Sequence, residues 1–144
     1  MKLRYMRCNI NMEVTEFRIG QSGTFSKTLT QTDVYSYAGI SGDFNPVHVN
    51  EMEAKNSLFG KQVVHGMLTA SLISTVIGTV MPGKGSIYLG QNLKFLKPVF
   101  FGDTITAVVT VLEIDVERSV LKLQTQEFNQ YNDMVVDGTA MVKI

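Results

Sequence analysis

Only two histidines occur in this 144-residue chain, and each stands beside residues able to share its chemistry. His48 follows Asp43 by five residues in SGDFNPVHVNEMEA, residues 41–54. His65 precedes Gly66 in VVHGML, at the head of the most apolar segment. A carboxylate and an imidazole held together can take a proton from water and deliver one to carbon. The first turn of a helix has unpaired N–H groups and a positive dipole end. A glycine there lets a ligand come close. The Gly66 N–H can then hold a developing oxyanion, such as a thioester carbonyl turning into an enolate.

The residues around Asp43 and His48 predict a rigid, turned backbone. Pro46 fixes its own φ and pushes Asn45 out of the helical region. Asn45 can cap the turn, with Pro46 at the first helical position and His48 on the turn itself. Gly42 permits a tight backbone just before Asp43. Asn50 and Glu53 suggest a second cap for NEMEAKN. Asp43 and His48 can therefore converge without a flexible arm between them. The plain alternative is a loop that merely contains two ionisable groups.

Other candidates are weaker. His65 reads as a capping or packing residue. Ser74 lies mid-helix without a Gly-x-Ser-x-Gly elbow, which argues against a hydrolase nucleophile. The gap between His48 and His65 matches no local ligand motif, so no metal is expected. Met67, Leu68, Leu72, Leu58 and Phe59 read as core or pocket wall. Lys61, Lys84, Lys94 and Lys97 read as surface charges with some capacity to meet phosphates. Cys8 is the lone cysteine, so no internal disulfide is expected, and its place near the start is poor for a nucleophile.

These residues need a scaffold. QTDVYSYAGIS (31–41) predicts a short helix, with Thr32 as cap and Val34, Tyr37, Ala38 and Ile40 as its apolar side. Apolar spacing predicts a long helix from Gly66 to Val80, stopped by Pro82 and Gly83. Its other face holds small residues, which predicts burial on more than one side. Residues 12–29 read as one or two strands around a turn at Gly20–Gly23. Residues 86–144 read as strands rich in Val, Ile, Thr and Phe, with turns at Glu117–Ser119 and Tyr131–Asp133. Turn-connected strands favour an antiparallel sheet. The class is α+β: five or six antiparallel strands around one main helix, a layout called a hot dog fold.

Composition sets the bounds. The length fits one domain, residues 1–144, with residues 1–11 as a loosely ordered basic start. Lys and Arg number 13 and Asp and Glu 13, so the net charge is zero and a broad nucleic-acid face is disfavoured. No apolar run of about 18 residues exists to cross a membrane. Nothing resembles a secretory signal, and the expected location is cytoplasmic, or mitochondrial in a eukaryote.

The stretch Y-AGI-SGDFNPVHVNEMEA resembles the signature of the MaoC-like (R)-specific enoyl-CoA hydratases, the hydratase 2 family. The matching residues are Tyr37, Ser41, Gly42, Asp43, Asn45, Pro46, Val47, His48 and Ala54. VVHGMLTASLIS is similar to the family's helix start, and QNLKFLKPVFFGD to its next strand and turn. The resemblance covers roughly residues 25–142. It implies a hot dog fold working as a homodimer or larger assembly. It also implies reversible (R)-specific hydration of trans-2-enoyl-CoA to (R)-3-hydroxyacyl-CoA, without metal or cofactor. By motif match, Asp43 and His48 would be the catalytic pair and Gly66 would offer its N–H to the thioester oxygen. Asn45 would brace the pair, and Ser74 would hydrogen-bond near it. Three alternatives stay open: dehydration of 3-hydroxyacyl-ACP, a hot dog thioesterase, and a non-catalytic acyl-thioester binder.

Overall fold

The computed structural model describes residues 12–144. The readings of Cys8 and of the basic start fall outside the described residues. A short 3-10 turn, Val14–Glu16, leads to strand β1, Ser22–Thr28. Among the described residues 12–29 this is the one strand. Gly20 turns the chain with φ 84°, while Gly23 lies inside the strand.

Helix α1 spans Gln31–Ser41. Its cap is Thr30, two residues before the expected Thr32: the Thr30 side chain accepts from the Asp33 N–H, and the Asp33 carboxylate accepts from the Thr30 N–H. A shorter acid thus closes the reciprocal box that Glu or Gln usually closes. Val34 and Ala38, one turn apart, are buried, but Ile40 is 85% exposed. The apolar side is therefore narrower than the residue types suggest. Two short helices follow, α2 (Pro46–Val49) and α3 (Glu51–Lys55), capped by Asn45 and Asn50 as expected.

The main helix α4 runs Gly66–Thr79. Strands β2 (Ile87–Phe95), β3 (Thr104–Asp115), β4 (Val120–Phe128) and β5 (Met134–Lys143) complete the sheet. The order is β1-β3-β4-β5-β2, antiparallel throughout. Ser119 and Asn132 take positive φ in the two hairpin turns, where turns were expected. Alternate residues of β3 and β4 face inward: Ile105, Ala107, Val109 and Val111, then Leu121, Leu123, Thr125 and Glu127. Leu72, Ile73, Val76 and Ile77 of α4 join the same core. A sheet curled around one helix is the hot dog fold.

Two features depart from a simple apolar core. Glu127 is fully buried, and neither carboxylate oxygen has a hydrogen-bond partner among the described residues. Burial pushes its pKa up to about 8. Part of the small-residue face of α4 is exposed among the described residues: Ser71, Ser74 and Gly78, with Met67, while Thr69 and Ala70 are buried. Strand β2 also exposes Ile87, Leu89 and Phe95. No helix among the described residues is long and apolar enough to cross a membrane.

Candidate active site

The loop between α1 and α2 is built by its own polar side chains. Gly42 ends α1 in the left-handed region, φ 79°, where glycine carries no penalty. The Asp43 N–H donates to Ser41 Oγ at 3.2 Å, and Asp43 Oδ1 accepts the Asn45 N–H at 3.1 Å. Asn45 Oδ1 accepts the Val47 N–H at 3.3 Å. Each short polar side chain thus ties the next peptide, and no segment of the loop is left to swing.

Segment 62–65 closes the other side. The Val63 N–H donates to the Val47 carbonyl and the Val64 N–H to the Val99 carbonyl. His48 Nδ1 lies 2.8 Å from the Val63 carbonyl oxygen. A carbonyl only accepts, so Nδ1 carries the proton and Nε2 of the neutral ring keeps its lone pair. Gln62 Nε2 donates to the His48 carbonyl at 2.9 Å. His48 is fixed at both its ring and its backbone.

His65 occupies the cap position of α4 but makes no side-chain cap bond. Its ring is buried and stacks on His48, with centroids 3.8 Å apart and an interplanar angle of 29°. Its Nε2 lies 2.9 Å from the Asp43 carbonyl oxygen. Tyr37 packs on it with centroids 4.9 Å apart. One donor atom from each of Asp43, His48 and His65 falls within a 4.8 Å set. His48 Nδ1 and His65 Nε2 each face a main-chain carbonyl, which leaves one nitrogen of each ring free.

A cleft of about 480 Å³ opens here, lined by Asn45, His48, Phe59, Gly66, Thr69 and Phe95 among others. Asp43 is exposed beside it and His48 is half-buried. Burial holds the His48 pKa below the ordinary 6.5; His65 lowers it further, against the Val63 hydrogen bond and the Asp43 charge, which raise it. His48 is therefore neutral near pH 7, with Nε2 ready to accept a proton. A Cβ on Gly66 would meet Phe95 ring atoms at 3.0–3.3 Å, so a glycine keeps this helix start open. A second cleft, about 450 Å³, lined by Glu13, Lys84 and Ser86 among others, holds neither histidine.

Asn45, His48 and Gly66 thus line one cleft, and Asp43, not itself among the lining residues, comes within 4.8 Å of His48 and His65. Ser74 is exposed on α4 and does not line it. Of the wall candidates, Phe59 lines the cleft, Leu72 is core, and Leu58 and Met67 are exposed. Lys61 sits over the Phe100 ring at 4.1 Å, and Lys97 pairs with Asp133 at 2.6 Å while lining the cleft. Of the two roles read for His65, it packs and does not cap, and what sequence reading missed is its contact with His48 and with the Asp43 carbonyl. Its only signal was a histidine between two valines and a helix start, a place where an imidazole is buried.

The MaoC like domain family profile matches residues 15–131. The chain belongs to this family. It is 42% identical over 129 residues to the (R)-specific enoyl-CoA hydratase of Rhodospirillum rubrum, covering 90% of this chain and 89% of that one. The solved structure of the (R)-hydratase from A. caviae involved in PHA biosynthesis aligns with TM-score 0.86 and 42% identity. That alignment covers 89% of this MaoC-like chain and 97% of the other. The R-hydratase PhaJ1 from Pseudomonas aeruginosa, unliganded, aligns with TM-score 0.85 and 38% identity, over 90% and 83%.

Proposed function

We propose that this MaoC-like chain is an (R)-specific enoyl-CoA hydratase, a hydro-lyase that adds water across a trans-2-enoyl thioester and runs equally in reverse. The observation that carries this reading is the pairing of Asp43 with a His48 whose free nitrogen is fixed as Nε2, His48 and Gly66 both lining one cleft. The near-full-length likeness to named hydratases supports it.

In this reading a single water lies between the Asp43 carboxylate and His48 Nε2. One group draws a proton from it as its oxygen attacks the β-carbon, and that same proton is then delivered to the α-carbon on the same face, so the one water supplies both the hydroxyl and the hydrogen. Charge builds meanwhile on the thioester oxygen, and the Gly66 N–H, at the positive end of α4, stabilises it. Asn45 holds the loop through its cap on Val47. The reaction moves protons and one C–O bond only, so it asks for no metal and no redox cofactor.

The substrate is an acyl thioester on CoA or on an acyl carrier protein. We also assign the exposed faces of α4 and β2 to a second copy, as a homodimer, because α4 exposes Met67 and β2 exposes Ile87, Leu89 and Phe95 among the described residues. Ser74 enters this reading through that face.

Crotonyl-CoA tests the function. Loss of the ultraviolet absorbance of the conjugated thioester without free thiol, abolished by Asp43→Asn and His48→Ala, is the expected result. Thiol release without hydration would make the protein a thioesterase. Silence in both assays, with acyl-carrier substrates as well, would reduce it to a binder.

A further inference from the structure

His65 touches every part of the proposed machinery, and the proposed proton transfers do not use it. Its Nε2 meets the Asp43 carbonyl at 2.9 Å, its ring lies on His48 at 3.8 Å, and its peptide carries the N–H of Gly66. Its carbonyl accepts both the Thr69 N–H, at 3.0 Å, and the Thr69 hydroxyl, at 3.2 Å, so its backbone is locked to the first turn of α4. We propose that His65 is a positioning residue that joins Asp43, His48 and the Gly66 N–H into one rigid unit. This rests on the hydratase reading of Asp43 and His48.

The chemistry of the contacts explains why a histidine serves here. The Asp43 carbonyl can only accept, so the neutral His65 ring carries its proton on Nε2. That donor stops the loop from moving Asp43 relative to α4. The flat face of the same ring supports His48, whose own proton points to Val63. A planar ring with a donor at its far edge does both tasks. Phenylalanine keeps the face and loses the donor; glutamine keeps a donor at similar reach and loses the face. His65 Nδ1 is buried with no partner among the described residues, so the ring is held by Nε2, by the stacked His48 ring and by the tilted Tyr37 ring.

The test compares His65→Phe and His65→Gln with crotonyl-CoA, fold checked by circular dichroism. The phenylalanine variant should lose about 100-fold in kcat, as displaced catalytic groups do, with KM nearly unchanged. The glutamine variant should recover about tenfold of that loss through the restored donor. A phenylalanine variant at full kcat, or a glutamine variant no better than phenylalanine, overturns the proposal. If the phenylalanine variant does not fold, imidazole ¹⁵N NMR of the unaltered protein decides, since it has only two histidines. The neutral His65 ring should carry its proton on Nε2; a proton on Nδ1 overturns the proposal. Asp43→Asn with undiminished hydration would instead defeat the catalytic reading of Asp43, and an unaltered protein that does not hydrate the thioester would defeat the hydratase reading, both leaving the His65 tautomer as found.

Discussion

His48 and His65 lie face to face, ring centroids 3.8 Å apart, and each gives its ring proton to a main-chain carbonyl, that of Val63 and that of Asp43. The first expectation follows from the free nitrogen this leaves on His48. His48→Gln and Asp43→Asn should each lower kcat by about 10² to 10⁴-fold, the usual worth of a positioned acid or base. Thermal melting should barely move, because Asp43 is exposed and His48 half-buried. A loss of stability matching the loss of rate would point to a structural role instead.

The pH profile is the second. Burial holds the His48 pKa below 6.5. The acid limb of kcat/KM should therefore fall below pH 6.5, with activity retained in mildly acidic solution, and His48→Gln should remove that limb. An acid limb centred above 6.5 would contradict the buried environment.

Third, Gly66→Ala should reduce kcat by about tenfold or more by crowding the helix start, since removing one oxyanion donor costs about 10² to 10³-fold. Its Cβ would stand 3.0–3.3 Å from Phe95. Phe95 is 52% exposed, so part of the strain can relax. Adding Phe95→Leu should recover rate if crowding is the cause; no recovery in the double variant would exclude it.

Fourth, Glu127 should destabilise the fold as pH rises. Both states hold its proton below about pH 4.5. From there to about 8 the unfolded chain releases a proton that the buried group keeps, so stability falls over that window. The loss is on the order of a few kcal/mol. Glu127→Leu should raise Tm at pH 8 and flatten its dependence on pH. An unchanged slope would show that another group sets it.

Much of this was legible in the sequence because it is local. Asn45, Pro46 and Asn50 act within three residues of themselves, and the period of α4 spans only its own turns. Strand alternation and both hairpin turns were readable for the same reason. What was not legible depends on partners far along the chain. The cap of α1 moved to Thr30 because Asp33 could complete the box, a choice between neighbours of equal type. His65 meets Asp43, 22 positions away, and only the fold brings the rings of Tyr37, His48 and His65 into contact. Glu127 sits among apolar positions of β4, where alternation predicts an inward residue but not an acid.

The acceptors for both imidazole protons are peptide oxygens, which no side-chain replacement deletes. Substitution at 43 or 63 changes what the site can do while leaving both rings aimed as before. Reactivity and architecture can thus drift apart through inheritance. A descendant that lost the Asp43 carboxylate would keep the shape of the cleft and fall silent in a single step, and exchanging Asn back for Asp would be enough to revive it.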